Sequence, residues 1–226
     1  MNNFIPPEFY ATIQKAISDI DNPDESSIPY FLRVAVHDLS DYAREHYQNI
    51  ELLENNAKND TVRTEYAMNG LSFHRGYYNP SPIDKLLISN QTQGKPCKSM
   101  PKNGYCYRFN NDGRIISVLR FSKGRLTHIE YIVCKDNAEY GLTFSVVNEP
   151  YIECAVKTVY ENNRPVEFLS LLFPINLTMN IIRYQRYYYD DNELKAADVI
   201  LDGMYPTLCH FRSFEFETYG EEIRLK

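Results

Sequence analysis

The second half of the chain repeats one kind of turn, and this repetition constrains the fold more than any other feature. Each unit has an aromatic residue, two or three polar residues, a Gly or Asn and a charged residue, usually followed by an apolar one. Gly and Asn tolerate the positive φ angles that tight hairpin turns need. The segments between the turns are rich in Tyr, Phe, Ile, Val and Thr, which favour strands. The pattern predicts consecutive antiparallel hairpins with turns at residues 109–115, 121–126, 160–165 and 189–194.

The region from residue 105 to residue 226 is therefore predicted to be an antiparallel β-meander of about eight to ten strands. Within residues 126–135 and 210–218, successive side chains alternate between two sets that lie on opposite faces of a strand. Such alternation is typical of an antiparallel sheet with one packed face and one wetter face.

The N-terminal region is predicted to be helical. Apolar residues recur at helical spacing over residues 6–23 and again over residues 28–53. The second stripe predicts one long amphipathic helix, or two helices broken near Ser40, that ends at Asn55-Asn56. Residues 61–71 have a weak helical preference.

Together these segments predict an α+β fold in three parts that form one compact unit. Residues 1–71 are a helical block, residues 72–104 are a long loop region rich in Pro and Gly, and residues 105–226 are the meander. Helices that precede a sheet as a block are expected to cover part of its packed face. A loop as long as the middle part is uncommon in a compact domain and tends to be functional or mobile.

Composition narrows the choice of partners. The net charge of −6 argues against unaided nucleic-acid binding, which depends on basic patches, and fits a cationic protein partner. We expect no membrane association, since there is no signal-peptide pattern and no apolar run approaches the ~18 residues of a membrane span. The five cysteines have no zinc-site spacing and predict reduced thiols in a cytoplasmic protein. A disulfide between Cys97 and Cys106 is the alternative to free thiols at these two positions.

The sequence carries no standard catalytic motif, so we predict a non-enzyme without catalytic residues, cofactor or metal ion. One fragment leaves a hydrolase-type enzyme open as an alternative. His74 and Arg75 lie beside tyrosines in the 72–104 loop, where they could act as a general base and an anion clamp. A strand position such as His128 with Glu130 could join them by fold-back.

The strongest binding candidate is a Tyr- and Arg-rich strand, because these residue types are enriched in interface hot spots. Acidic residues follow it directly, and a second acidic strand lies further on. On the first strand, alternate residues face opposite sides, and the alternative is that they only pair across strands within the sheet. The predicted partner-binding residues are Arg183, Tyr184, Arg186, Tyr187, Tyr188, Asp190, Asp191, Glu215 and Glu217.

The turn units resemble half-repeats of the YD (Rhs) repeat family, in which an aromatic strand runs into Asp or Asn, Gly, Arg and an apolar residue. The segments 107–115 and 188–194 carry this resemblance. In overall style, acidic, Tyr-rich and without a catalytic motif, the chain resembles bacterial immunity proteins encoded beside polymorphic or contact-dependent toxins. That resemblance implies binding and neutralisation of a cognate toxin domain, for which a basic nuclease would be a fitting partner. A structural protein that self-associates through sheet edges is a third alternative.

Overall fold

A computed structural model describes most of the chain. The described residues are 30–46, 49–71, 74–87, 93–148, 150–173, 181–191, 193–202, 210–219 and 222–225. The helix predicted within residues 6–23 lies outside them.

The described strands form one antiparallel sheet of twelve strands. From β3 to β12 each strand pairs with the next along the chain, whereas β1 lies between β2 and β3. The strands are β1 (Arg63–Met68), β2 (Lys95–Cys97), β3 (Gly104–Phe109), β4 (Ile115–Ser122), β5 (Arg125–Lys135), β6 (Ala138–Ser145), β7 (Tyr151–Glu161), β8 (Arg164–Leu172), β9 (Ile181–Asp190), β10 (Glu193–Asp202), β11 (His210–Tyr219) and β12 (Glu222–Leu225).

The α+β class is confirmed, and the sheet is larger than predicted. The strands β3 to β12 match the predicted meander to within a few residues at their ends. The two additional strands come from segments that precede the meander. The weak helical preference of residues 61–71 was wrong, since Arg63–Met68 pairs with β3 along its whole length and with β2 at its end. Such cross-strand pairing overrides a weak local propensity.

The described residues form three α-helices beside the sheet: α1 (Tyr30–His46), α2 (Ile50–Asp60) and α3 (Pro82–Leu87). The predicted break near Ser40 was wrong, because Ser40 is buried inside α1 and the two helices separate after His46. The predicted end at Asn55-Asn56 also came too early. Among the described residues, no helix has the length and apolar character needed to cross a membrane.

The helices α1 and α2 cover the middle of one sheet face, which we call the helix face. α1 contacts β7 and β8, and α2 contacts β5. Val36 and Leu39 of α1 share one buried cluster with Leu169 and Leu171 of β8 and with Tyr131 of β5. Burial of such apolar side chains stabilises the layer by about 1.5–3 kcal/mol each.

Residues 74–87, which we call the strap, cross the opposite side of the sheet, the strap face. The strap consists of a short 3-10 helix, Gly76–Tyr78, followed by α3. Ile83 of α3 packs in a buried cluster with Phe168 and Tyr187 of the sheet. Tyr107 donates a hydrogen bond from its hydroxyl to the Arg75 carbonyl at 2.8 Å. The central strands therefore have cover on both faces.

The four described cysteines, Cys97, Cys106, Cys134 and Cys154, are free thiols. Cys97 and Cys106 are both register partners of Tyr66, one on each side of β1. Two strand spacings separate their backbones by roughly 9–10 Å, which exceeds the span of a disulfide. The disulfide considered between them is therefore excluded by the position of β1.

Leu39 offers a test of the contact between α1 and the sheet. Its side chain is fully buried, whereas Val34 on the same helix is about half exposed. We expect Leu39→Ala to lower the free energy of unfolding by about 2–5 kcal/mol through lost burial and a residual cavity. Val34→Ala should change it by less than about 0.5 kcal/mol. Urea unfolding followed by circular dichroism measures both, and equal effects would contradict the packing described here.

Candidate functional site

A cavity of about 350 Å³ lies on the strap face, between the strap and the strands from β3 to β9. Its lining combines ionisable side chains with hydroxyls and apolar groups, which is the composition of a ligand pocket. The lining residues are Leu71, His74, Arg75, Asp84, Tyr105, Val118, Arg120, His128, Glu130, Thr143, Glu153, Cys154, Phe168, Ser170, Leu172 and Arg183.

Arg75 and Glu130 form a buried ion pair at the base of this cavity. Arg75 Nε donates to Glu130 Oε1 at 2.9 Å, and both side chains are about 95 % or more buried. Arg75 Nη1 donates to Glu139 Oε2 at 2.8 Å, and Tyr160 donates to the same carboxylate oxygen at 3.1 Å. Arg75 adopts a left-handed φ of 55°, which is strained for a residue with a side chain. The ion pair holds the residue in this conformation.

Gly141 of β6 provides the space for the ion pair. A Cβ atom at this position would lie 2.1 Å from Glu130 Oε1 and 3.1 Å from Arg75 Nη2. Any side chain here would therefore displace the Glu130 carboxylate. Arg75 Nη2 is buried and has no hydrogen-bond partner among the residues that the structure describes.

The two charges determine each other's ionisation. Burial disfavours the carboxylate of Glu130, but the charges of Arg75 and then His74 outweigh burial and lower the pKa of Glu130 to about 2. Burial also disfavours the guanidinium of Arg75, but the carboxylates of Glu130 and Glu139 raise its pKa above the ordinary value. The pair is therefore ionised throughout the neutral pH range.

A second polar network fastens the other end of the strap. Asp84 accepts hydrogen bonds from both Arg183 Nη atoms, at 3.1 Å from Nη1 and at a shorter distance from Nη2. With the Gln185 amide nitrogen directed at the hydroxyls of Ser81 and Tyr187, its oxygen accepts from Arg183 Nη2 and Nε at 2.8 Å. Ser81 Oγ also accepts from the Asp84 backbone N–H at 3.1 Å and thereby caps α3.

The cavity brings together the residues of the enzyme alternative. His74 Nε2 lies 3.3 Å from Glu130 Oε1, and His128 Nε2 lies 2.8 Å from Glu153 Oε2. Cys154, beside them, is buried, and burial raises the pKa of its thiol far above the ordinary value, so it is a poor nucleophile. The site thus contains two imidazole–carboxylate pairs and no activated thiol at Cys154.

The second candidate site lies on the helix face, beyond the area that α1 and α2 cover. Register pairs run from Glu167 through Arg186 and Asp198 to Ser213, and from Tyr188 through Ala196 to Glu215. Strand alternation puts both rows on the same face. We call this surface the open face because Tyr188, Ser213 and Glu215 are exposed on it. It is defined as Glu167, Arg186, Tyr188, Asp198, Ser213 and Glu215.

Hydrogen bonds order the side chains of the open face. Arg186 Nη2 donates to Glu167 Oε1 at 2.8 Å. Tyr188 donates from its hydroxyl to Asp198 Oδ2 at 2.8 Å while 43 % of the residue remains exposed. Glu215 is exposed, and Glu217, two residues further along β11, is half-buried on the same face.

The structure separates the predicted binding residues into several environments. Arg186, Tyr188, Glu215 and Glu217 share the helix face. Tyr184 shares that face but is buried in the core, where it donates to Glu167 Oε1 at 3.0 Å. The remaining residues lie elsewhere: Arg183 and Tyr187 belong to the strap face, and Asp190 and Asp191 are exposed at the turn between β9 and β10.

Some residues of these sites had no sequence signal. Gly141 and Gln185 are isolated residues within predicted strands, and neither belongs to a motif. The neighbouring sequence does not indicate that Gly141 leaves space for an ion pair or that Gln185 makes a buried polar contact. Arg120 and Glu153 are likewise isolated charges. His74, Arg75, His128 and Glu130 could be proposed as neighbours because the long loop had to return to the sheet.

Comparisons with known proteins do not assign this chain to a family, because no family model, curated protein or solved structure matches it. Within the part of the chain that the structure describes, no group of three or more His, Cys, Asp or Glu side chains could hold a metal ion. The function is therefore inferred from the two sites themselves.

The space at Gly141 can be tested directly. Because its added Cβ would collide with Glu130, we expect Gly141→Ala to lower the free energy of unfolding by about 3 kcal/mol. Gly113→Ala is the control, since nothing lies within 4 Å of a Cβ there and only its φ of +74° opposes the change. That conformational strain should cost about 1–2 kcal/mol.

A second variant shows whether the Glu130 side chain causes the cost of Gly141→Ala. In a Glu130→Ala chain the obstructing carboxylate is absent, so the added cost of Gly141→Ala should fall below about 1 kcal/mol. Urea unfolding of the single and double variants gives the coupling. Additive costs would show that Gly141 is not the space for the ion pair.

The lowered pKa of Glu130 predicts that the stability of the protein depends on pH. Its pKa of about 2 in the folded protein lies below the ordinary value of 4.5. The native state therefore gains stability above about pH 4.5 and loses it as the pH falls towards about 2. The difference between the two pKa values corresponds to about 3 kcal/mol.

The measurement is the free energy of unfolding in urea at about pH 7 and about pH 3. Glu130→Gln should be destabilised by about 3–5 kcal/mol at neutral pH and should lose less stability on acidification than the unaltered protein. Glu161→Gln, at the exposed end of β7, should retain the full acid sensitivity. An unchanged pH dependence in Glu130→Gln would contradict the assignment.

Proposed function

We propose that this protein is a cytoplasmic, non-enzymatic immunity protein that binds a cognate toxin domain through the open face and blocks that domain's activity. One observation carries the proposal. The helices α1 and α2 cover the middle of the helix face, whereas the part formed by β9 to β11 presents Arg186, Tyr188 and Glu215 together. All three belong to the residues that the sequence predicts to bind a partner.

The side chains of the open face suit protein recognition. Tyr and Arg are enriched among hot-spot residues because they bury a large area and also form hydrogen bonds. Tyr188 and Arg186 are already oriented by Asp198 and Glu167, so little side-chain entropy would be lost on binding. Three further residues of β9 have an indirect role. Arg183, Tyr184 and Tyr187 stabilise the position of the strand from within the fold.

Charge favours a basic partner. The open face has three carboxylates, on Glu167, Asp198 and Glu215, and one guanidinium, on Arg186, and the whole chain has a net charge of −6. Complementary fields accelerate encounter and exclude partners of like charge. A toxin domain with a positively charged active-site surface, such as a nuclease, fits these requirements.

The hydrolase alternative has one observation in its favour. Two imidazole–carboxylate pairs, His74 with Glu130 and His128 with Glu153, line the same cavity. A His held by a carboxylate is the usual form of a general base. His74→Ala would abolish turnover of a hydrolysable substrate under this alternative, and would leave toxin binding unchanged under the immunity proposal.

Self-association through sheet edges receives less support. The edge strand β2 has only three residues, and its central residue, Pro96, has no backbone N–H to donate. The other edge, β12, has four residues. Short edges and edge prolines are the features that discourage strand addition.

The proposal is tested by capture from the native cell followed by measured affinity. The tagged full chain should retain a stoichiometric basic protein after low-salt and high-salt washes. Tyr188→Ala and Glu215→Lys should each weaken binding of the purified partner by about tenfold or more, equivalent to about 1.4 kcal/mol. Asp112→Lys makes the same charge change at the exposed β3–β4 turn and is the matched control.

Calorimetric titration distinguishes the outcomes. Loss of affinity in the two open-face variants, with the control unchanged, would support recognition through this surface. Equal affinity in all variants would overturn the assignment of the open face. Recovery of no stoichiometric partner would overturn the immunity function.

A further inference from the structure

Two of the arginines that line the cavity on the strap face form ion pairs, and the third does not pair with any described residue. Three arginines line it. Arg75 contacts two carboxylates, and Arg183 contacts Asp84 through two nitrogens. Arg120 makes no ion pair within 4 Å among the described residues, although it lies in the same lining.

Arg120 is held in a defined place. Its register partners are Tyr105 on β3 and His128 on β5, so all three side chains share the strap face. His128 Nε2 lies 2.8 Å from Glu153 Oε2, so the Glu153 carboxylate is already paired with this imidazole. Arg120 attracts that carboxylate at longer range and, after the His128 hydrogen bond, helps to lower the pKa of Glu153. The Arg120 guanidinium therefore keeps donors for a group from outside the chain.

Other lining groups complete an amphiphilic site. The hydroxyls of Thr143 on β6 and Ser170 on β8 make no hydrogen bond within the described part of the protein. Ser170 lacks a described partner even though it is buried, with only 8 % of the residue exposed. Val118, Phe168 and Leu172 supply apolar surface to the same cavity. Its volume of about 350 Å³ is at the lower end of the range of small-molecule pockets.

We propose that this cavity binds a small organic anion whose carboxylate or phosphate group contacts Arg120 and whose apolar part lies against Phe168 and Leu172. Guanidinium groups bind both kinds of anion through paired N–H donors. Thr143 and Ser170 donate further hydrogen bonds. The inference is independent of toxin binding, which uses the opposite face of the sheet.

Fluorine NMR of the full-length protein tests the site with three probes: 4-fluorobenzoate, 4-fluorophenyl phosphate and the neutral 4-fluorobenzyl alcohol. At least one anion should bind saturably, and the alcohol should bind at least about tenfold more weakly, because the charge on Arg120 contributes about 1.4 kcal/mol or more. The tighter of the two anions identifies the carboxylate or the phosphate as the natural group.

Three variants locate the bound anion. Arg120→Gln should weaken binding by about tenfold or more, and Arg114→Gln, an exposed arginine at the preceding turn, should have no effect. Leu172→Trp should also weaken binding, because it fills the cavity from a position that is 37 % exposed and can accept a larger side chain. Thermal unfolding confirms that each variant is folded.

Several outcomes would overturn the proposal. These are the absence of saturable binding of either anion up to about 10 mM, equal binding of the alcohol, and binding that is insensitive to Arg120→Gln. Binding that responds to Arg120→Gln but not to Leu172→Trp would place the anion outside the cavity and would refute the site as described.

Discussion

The buried pair of Arg75 and Glu130 is the interaction on which the rest of the strap face depends. It joins the start of the strap to the centre of the sheet, and Gly141 leaves room for it. Two charges removed from water are costly unless they meet in good geometry, so neither can be lost alone without a penalty of about 3–5 kcal/mol. The cavity exists because this pair and the Asp84–Arg183 pair hold the strap at both ends.

The two faces of the sheet are covered in different ways. The helix face receives α1 and α2 through apolar packing, which has no preferred direction and depends on area. The strap face receives a short segment, which packs through Ile83 and is held at both ends by directional polar contacts. Buried polar networks of this kind are stable only when nearly all of their members have partners. This difference explains why the buried charges of the described residues, on Arg75, Asp84 and Glu130, lie on the strap face.

The open face follows from the length of the sheet. Two helices can cover only part of a long sheet. The main contacts of α1 and α2 lie on β5, β7 and β8, and single side chains of these helices also reach β3 and β6. Beyond the helices, the helix face of β9 to β11 carries polar side chains such as Arg186, Asp198 and Glu215, where the central strands carry apolar ones. The change occurs within β8 and β9, from Leu169 to Glu167 and from Tyr184 to Arg186. The two proposed sites are thus on opposite faces and are separable by mutation.

The sequence by itself determined the meander from β3 to β12, because turn residues and strand alternation act over short distances along the chain. It also indicated that His74 and Arg75 could approach His128 and Glu130. The tertiary structure decided the rest: the strand Arg63–Met68, the space at Gly141, and the burial of Tyr184 and Tyr187. These depend on contacts between distant segments, such as Arg75 and Glu130, which are 55 residues apart. No local pattern encodes where a long segment crosses a sheet, since this is set by the packing of the whole molecule.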